Sequence, residues 1–139
     1  MPVERFLDTN ILLYLYSEDE PDKRTLARQL VKSEMRAWVS TQVLSEMANV
    51  LHRKFGVAYP DIAVALHEIR AVCGVHPVTP ETITLALSLA ERYRYAYYDS
   101  LILAAALECG CDELASEDMQ DYFVVDSRLT IRNPFVQKT

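Results

Sequence analysis

Residues 98–110 read YDSLILAAALECG, and this stretch determines how the rest of the chain is arranged. The run from Leu101 to Leu107 is apolar and rich in alanine, and Gly110 is a natural C-terminal stop, so the pattern predicts a helix. A helix that is apolar on every side is buried. Asp99 therefore lies in the first turn of a buried helix, near the positive end of its dipole. It either caps that helix, the usual role of an Asp there, or belongs to an acidic site.

The composition is typical of one folded domain. The chain has 139 residues, 50% of them hydrophobic and only three of them glycine, so it can bury a sizeable core and is not disordered. We therefore predict a single domain, residues 1–139. The formal net charge is -6, whereas ordinary nucleic-acid-binding proteins are basic. An enzyme whose acidic residues hold cations is still allowed, because a bound metal reverses the local field.

Cysteine usage and the absence of targeting patterns predict a cytoplasmic protein. The three cysteines are odd in number, and two of them, Cys109 and Cys111, are nearly adjacent, which is typical of reduced thiols. The three histidines are scattered, so no second cluster completes a zinc site. The chain shows no N-terminal signal pattern and no apolar stretch of about 18 residues, so we expect no membrane span.

Short apolar segments alternate with helical patterns along the chain. We predict strands at residues 4–7, 37–40, 75–78, 112–116, 123–125 and 129–131. A polar turn at 8–10 and a helix at 11–16 follow the first strand, and a helix from Thr41 to about Phe55 follows the second. Another helix starts at Thr79-Pro80-Glu81 and runs to about Arg94. This alternation predicts an α/β sandwich with a short, mostly parallel central sheet flanked by helices.

Four acidic residues follow or adjoin the predicted strands. Asp8 follows the first strand, Asp118 follows a late one, and Glu46 lies one turn into the helix after the second. Asp99 begins the helix that precedes the strand of Asp118. Because ligands gather at the carboxyl ends of parallel strands, all four side chains could meet at one edge of the sheet.

Ionised carboxylates that lie close together repel one another and need a positive charge to balance them. Two of them about 4 Å apart repel by about 4 kcal/mol at an effective dielectric constant near 20. Mg²⁺ or Mn²⁺, which prefer oxygen ligands, supply the opposite charge, and they also align a phosphodiester and activate water. Taken singly, Asp8 could be a turn residue, Asp118 a helix cap and Glu46 part of a solvated face. The combination of all four in this fold favours a metal site.

Four segments resemble, in chain order, the signature segments of PIN-domain ribonucleases. They are residues 6–12 (FLDTNIL), 40–46 (STQVLSE), 98–102 (YDSLI) and 116–118 (SED). Residues 129–135 (LTIRNPF) also resemble the ending common in bacterial members. The match covers nearly the whole chain without an extra domain. This compact form resembles a toxin of the virulence-associated protein C type, the nuclease half of a toxin–antitoxin pair.

The resemblance implies a three-layer PIN sandwich and an endoribonuclease that depends on Mg²⁺ or Mn²⁺. It assigns catalysis and metal binding to Asp8, Glu46, Asp99 and Asp118. It also assigns supporting positions, which orient carboxylates or water, to Thr9, Asn10 and Ser116. Glu117 or Asp121 could share or replace the role of Asp118. The implied partners are an RNA substrate, a cognate antitoxin protein and a second copy of the chain.

The segment RYRYAYY at residues 92–98 runs directly into Asp99. Interleaved arginine and tyrosine suit single-stranded RNA, which makes Arg92 and Arg94 candidate RNA contacts. The alternative is that the tyrosines pack at a helix end or a dimer contact. Two further groups of basic residues are either RNA contacts or solvated helix faces, and they are Lys23, Arg24 and Arg28, and Arg53 and Lys54.

Two other classes of protein compete with a nuclease. One is a PIN-like module that binds without catalysis. The other is a phosphatase or signalling receiver on a similar α/β scaffold. A phosphatase of the haloacid-dehalogenase type needs a second aspartate where Asn10 stands, and a receiver needs a late lysine, for which only Lys138 is available. No glycine-rich phosphate loop is present to bind a nucleotide cofactor.

Overall fold

The computed structural model describes residues 3–136, so Lys138 lies outside the described residues. This part of the chain forms six helices and six strands. The helices are α1 (Thr9–Tyr14), α2 (Pro21–Lys32), α3 (Thr41–Arg53), α4 (Tyr59–Val72), α5 (Pro80–Tyr93) and α6 (Tyr97–Glu108). The strands are β1 (Glu4–Leu7), β2 (Arg36–Ser40), β3 (Gly74–His76), β4 (Glu113–Ala115), β5 (Val124–Val125) and β6 (Leu129–Arg132).

The strands form one sheet in the order β3-β2-β1-β4-β6-β5. All neighbouring strands are parallel except β5 and β6, which pair as an antiparallel hairpin. The predicted α/β class with a mostly parallel sheet is therefore confirmed. The chain leaves β1 towards β2 and β3 and later returns to β4 on the other side of β1. The order of strands thus reverses between β1 and β4, where ligands bind in such sheets.

The helices form two layers. Helices α1, α2, α3 and α4 contact one another, and α5 contacts α6. Crossover connections between parallel strands are right-handed. The chain crosses the sheet in one direction from β1 to β3 and in the other direction from β3 to β4, so the helices of these two parts lie on opposite faces. The sheet therefore lies between α1–α4 and α5–α6, which gives the three predicted layers.

Helix α6 is the buried helix that the sequence predicts. Every residue from Ser100 to Leu107 is buried. The chain reverses at Gly110, whose φ is +74°, and its N–H donates to the carbonyl oxygen of Leu107. A residue without a side chain adopts this left-handed conformation readily, which ends the helix. This burial fixes the position of Asp99 in the first turn of α6.

The predicted polar turn at residues 8–10 is wrong, because most of it is helical in the structure. Helix α1 already begins at Thr9, because the carboxylate of Asp8 caps it by accepting the Thr9 N–H. The helix ends at Tyr14 rather than at Tyr16. Helix α3 ends at Arg53, close to its predicted end, and Gly56 follows it with φ of +66°.

The cysteines are not joined to each other: Cys73, Cys109 and Cys111 are all free thiols. This agrees with the expected reduced state. Among residues 3–136, no helix has both the length and the apolar character needed to cross a membrane.

Candidate active site

A cleft of about 220 Å³ opens where β1 and β4 end. Its lining residues are Asp8, Thr9, Asn10, Leu13, Glu46, Asn49, Val50, Asp99 and Asp118. The four acidic residues singled out in the sequence therefore surround one space, although they come from four separate segments. None of the nine lining residues is Lys, Arg or His. The wall of the cleft is consequently negative and has no basic side chain of its own to neutralise it.

Asp8 is the most buried of the four acids and is only 8% exposed. Its carboxylate accepts hydrogen bonds from the backbone N–H of Thr9 at 2.7 Å and from the hydroxyl group of Ser116 at 2.8 Å. Burial raises its pKa from 3.8 to about 6. The two hydrogen bonds oppose this rise, whereas repulsion from Asp99 and Glu46 adds to it. Burial and repulsion thus disfavour the ionised form of Asp8, and an approaching cation would stabilise that form.

Glu46 is half-buried on α3 and is held from two sides. Its Oε2 accepts from the hydroxyl group of Thr9 at 2.8 Å, and its Oε1 accepts from the side-chain amide of Gln42 at 2.7 Å. Gln42 also donates to the backbone oxygen of Tyr98 at 3.2 Å, which links α3 to the first turn of α6. Glu46 is therefore a positioned residue and not part of a solvated helix face.

Asp118 lies at the exposed rim of the cleft. Its Oδ2 accepts from the side-chain amide of Asn10 at 2.6 Å. No helix follows Asp118 as far as residue 136, where the described part of the chain ends, so it does not act as a helix cap. Asn10 thus connects the segment after β4 to the first turn of α1.

Asp99 is the carboxylate without a hydrogen-bonding partner. It is the third residue of α6, and Ala96 occupies the N-cap position. No described side chain or backbone N–H donates to it, so it does not cap the helix. Burial raises its pKa, and repulsion from Asp118 and Glu46 raises it further. An acid that is left unpaired and repelled by its neighbours is well suited to bind a cation.

Glu117 points away from this group despite being adjacent to Asp118. It accepts from the Nζ of Lys23 and from the hydroxyl group of Tyr14, each at 2.6 Å. Burial works to raise its pKa, but these two hydrogen bonds outweigh it and lower the pKa. Lys23 also lies 5.3 Å from the ring centroid of Phe135. Glu117 is therefore already neutralised and does not line the cleft.

Asp121 is also engaged elsewhere. Its Oδ1 accepts from the backbone N–H of Asn133 at 2.8 Å, and Asp121 does not line the cleft. It ties the loop after Asp118 to the segment that follows β6. The geometry thus favours Asp118 over both of its alternatives as the fourth acid.

The two arginines ahead of α6 are placed differently. Arg92 pairs with Asp126 through two hydrogen bonds of 2.8 and 3.3 Å, and the hydroxyl group of Tyr93 donates to the same carboxylate at 2.8 Å. These bonds fix α5 to the turn between β5 and β6, which favours a structural role for Arg92. Arg94 is exposed, has a φ of +63° and forms no side-chain bond within the described part of the chain.

The donors in the cleft fit a hard divalent cation. They are carboxylate oxygens, and Mg²⁺ usually binds through one or two carboxylates, keeps several waters and leaves room for phosphate oxygens. Within residues 3–136, no three acidic, histidine or cysteine side chains form a ready-made metal cage. Ser116, Thr9 and Asn10 each donate to a different carboxylate, and these are Asp8, Glu46 and Asp118. A cation would therefore be shared between a few carboxylates and solvent.

The structure adds residues that the sequence patterns did not single out. Gln42 holds Glu46, and its own Oε1 is the buried side-chain oxygen left unpaired in the described chain. Asn49 lines the cleft one turn after Glu46. Lys23, which the sequence offers as either an RNA contact or part of a solvated helix face, instead pairs with Glu117. The position of Asn49, three residues after Glu46 on the same helix, could have indicated that it lies beside the cleft. The bond between Lys23 and Glu117 joins distant segments, so no local pattern indicates it.

Comparison with known proteins agrees with this architecture. The model of the PIN domain family matches residues 5–123. The toxin VapC20 of Mycobacterium tuberculosis, described as cleaving the sarcin-ricin loop, has a TM-score of 0.67 and 24% identity over 83% of this chain and 92% of its own. A chain of a toxin–antitoxin complex from Klebsiella pneumoniae has a TM-score of 0.71 and 20% identity over 95% and 98%.

A third solved structure is VapBC2 from Rickettsia felis bound to a DNA fragment from its promoter. It has a TM-score of 0.62 and 16% identity over 84% of this chain and 89% of that chain. At these identities the three structures establish similarity of fold. Among curated proteins, none matches the sequence. Since the family model spans most of the chain, from β1 through the four acids to the loop before β5, the protein belongs to the PIN domain family.

Proposed function

We propose that this protein is an endoribonuclease that depends on Mg²⁺ or Mn²⁺ and acts as the toxin of a toxin–antitoxin pair. The observation that carries the proposal is the convergence of Asp8, Glu46, Asp99 and Asp118 on one cleft without a basic residue in its lining. The fold shared with VapC20, a toxin described as cleaving the sarcin-ricin loop, supports the proposal that the substrate is RNA.

The proposed reaction is hydrolysis of a phosphodiester bond by water attacking in line, which leaves a 5′-phosphate and a 3′-hydroxyl. The cation, when bound, supplies charge to the scissile phosphate and lowers the pKa of the attacking water. Asp8, Asp99 and Asp118 would hold it, with Glu46 completing the group. No serine or cysteine nucleophile is required.

The remaining polar residues of the cleft position these acids. Ser116 keeps the Asp8 carboxylate in one orientation and favours its ionised form. Thr9 holds Glu46, and Asn10 holds Asp118. Each of these bonds reduces the reorganisation needed when substrate arrives, because the oxygens already face the cleft.

We propose a cognate antitoxin as the protein partner, and an apolar groove beside the acidic cleft would receive it. This groove has a volume of about 430 Å³ and shares Leu13 with the cleft. Leu51 and Phe55 give it apolar walls, and Glu18 and Asp61 lie among its lining residues. An amphipathic helix with basic residues fits such a surface, and from there it would reach the carboxylates.

The active toxin is proposed to be a cytoplasmic homodimer. This expectation comes from the family resemblance. Light scattering of the purified chain tests it directly, because the mass of a dimer is twice that of the 15.9 kDa monomer.

The decisive experiment is cleavage of total cellular RNA by purified protein, with mapping of the new ends. We expect discrete cuts bearing 5′-phosphates with Mg²⁺ or Mn²⁺, and none with chelator or with Asp8→Asn. Asp19→Asn, which removes an exposed carboxylate outside the cleft, is the matched control and should cut normally. Full activity of a folded Asp8→Asn variant would falsify the assignment.

The same experiment separates the nuclease from a non-catalytic binding module. Protein that neither cuts RNA nor binds Mg²⁺ or Mn²⁺ in calorimetry would be a binding module. A signalling receiver carries its acceptor aspartate at the end of a strand, whereas Asp99 is the third residue of a helix.

A further inference from the structure

A second cleft, with a volume of about 350 Å³, continues from the acidic one. It is lined by Asn49, Val50, Arg53 and Lys54. Asn49 and Val50 also line the acidic cleft, so the two spaces share a wall. Their charges are opposite, since the first is lined by four carboxylates and the second by two cations without an acid.

The shared wall is one face of α3. Asn49 and Val50 lie three and four residues after Glu46, and the next pair along this side lies four residues further on, at Arg53 and Lys54. This spacing places all five along the same side of the helix. Glu46 and Arg53 are separated by about 10 Å along the helix axis, from the rise of about 1.5 Å per residue. A short run of nucleotides therefore reaches from the carboxylates to the cations.

The positive charges in this second cleft are available to a ligand. Arg53 and Lys54 are exposed, and neither side chain forms an ion pair with any residue from 3 to 136. The Nζ of Lys54 lies 5.7 Å from the ring centroid of Phe55, a contact that leaves the ammonium group free to bind an anion. Lys23 and Arg92, by contrast, are held by Glu117 and Asp126.

We infer that Arg53 and Lys54 bind the backbone phosphates of single-stranded RNA next to the scissile bond and lead the strand into the acidic cleft. This inference rests on the proposed nuclease function and adds the path of its substrate. A chain with a net charge of -6 repels RNA as a whole. Local cations beside the carboxylates are therefore needed to hold the strand there.

The competing explanation is purely structural. Basic residues at the end of a helix interact favourably with its negative pole, and Arg53 lies in the last turn of α3 with Lys54 as its C-cap residue. Removing them would then change the stability of the protein and leave its affinity for RNA unchanged.

The test measures binding of a short fluorescent single-stranded RNA of mixed sequence in the cleavage-deficient Asp99→Asn background. We expect the double variant Arg53→Gln/Lys54→Gln to weaken binding about tenfold. The slope of log K against log salt should fall by about 1.4, since each phosphate contact on a single strand contributes about 0.7. In the active background, KM for RNA should rise more than kcat falls.

Lys32→Gln/Arg70→Gln is the matched control. It removes two exposed positive charges from the last turns of α2 and α4, outside both clefts, and should change neither the affinity nor the salt slope. Urea denaturation of both double variants reports the helix-end effect separately.

Two outcomes overturn the inference. The first is an unchanged affinity and salt slope for Arg53→Gln/Lys54→Gln. The second is an equal loss in the Lys32→Gln/Arg70→Gln control, because the effect would then follow the net charge and not the site. Native protein that binds RNA through Arg53 and Lys54 but never cuts it would contradict the proposed function alone.

Discussion

The hydroxyl group of Ser116 donates a hydrogen bond of 2.8 Å to the carboxylate of Asp8, although 108 residues separate the two in the chain. Both side chains are buried, so the bond joins the end of β4 to the end of β1 away from water. It favours the ionised carboxylate and thereby limits the rise in pKa that burial causes. The cleft depends on this link for both its shape and its charge.

Replacing Ser116 by Ala should therefore destabilise the protein. We expect the free energy of unfolding to fall by about 1–3 kcal/mol at about pH 8, because a buried ionised acceptor loses a donor. Urea denaturation in chelator measures the change. Ser88→Ala, on the exposed face of α5, is the control and should change stability by less than about 0.5 kcal/mol. Equal effects from the two variants would contradict the role of the bond.

The stability of metal-free protein should depend on the ionisation of Asp8. Its pKa is about 6 when folded, against an ordinary value of 3.8. The folded state therefore holds the proton of Asp8 more tightly than the unfolded state does. The contribution of Asp8 to the free energy of unfolding is greatest below the unfolded pKa of 3.8, and it is lost as the pH rises through the folded pKa of about 6. At about pH 8, Asp8→Asn should be more stable than wild type by up to about 3 kcal/mol.

Urea denaturation at several pH values in chelator tests this expectation. The difference between Asp8→Asn and wild type should shrink as the pH falls towards the ordinary value. Asp19→Asn removes an exposed carboxylate and should show no such trend. A difference that does not change with pH would show that ionisation of Asp8 is not its cause.

Asp118 and Glu117 should differ in their response to a divalent cation. Mg²⁺ that binds only the folded state stabilises it by about 2.7 kcal/mol at about 100 times Kd, which raises Tm. We expect Asp118→Asn to lose most of this increase and Glu117→Gln to keep it, because Lys23 and Tyr14 already hold Glu117. If Glu117→Gln loses as much of the increase, Glu117 shares the metal.

Lys23 should support activity from outside the cleft. In Lys23→Met, Glu117 loses its cation and leaves an uncompensated charge beside Asp118. We expect kcat for RNA cleavage to fall about tenfold, as when a residue that orients a metal ligand is removed. Adding Glu117→Gln should restore much of the activity, since no unpaired carboxylate remains. Lys32→Met is the control at an exposed site, and failure of the double variant to recover would contradict this explanation.

Arg92 should matter for stability and not for RNA. Arg92→Ala removes the two hydrogen bonds to Asp126 that fix α5 to the β5–β6 turn. We expect Tm to fall while RNA affinity and its salt dependence stay at the wild-type values. Thermal unfolding and fluorescence anisotropy measure the two effects separately. Weaker RNA binding without a change in Tm would restore Arg92 as an RNA contact.

Local patterns predict much of the fold. The apolar run in α6 and the glycine after it define a buried helix with Asp99 in its first turn. The strand at Glu4–Leu7 is also predicted, with its bounds. The turn at 8–10 was wrong, because the pattern could not show that Asp8 would cap a helix starting at Thr9.

The supporting bonds of the site could not be predicted in the same way. Asn10 and Asp118 are 108 residues apart, and Lys23 and Glu117 are 94 apart. Spacing in the sequence reports neighbours on one helix or strand. It does not report which side chains meet once the sheet has brought distant segments together. The family resemblance named the acids and some of their supports, whereas the roles of Gln42 and Lys23 required coordinates.

The position of β1 in the sheet has a consequence for synthesis on the ribosome. One edge of β1 pairs with β2, which leaves the ribosome early. The other edge of β1 stays unpaired until β4 has been synthesised. Ser116 and Asp118 follow β4, so a nascent chain interrupted before Glu113 carries Asp8, Glu46 and Asp99 without the second wall of the cleft. Abortive translation products of the proposed toxin would therefore be inactive, and only chains that are synthesised nearly to completion would cleave RNA.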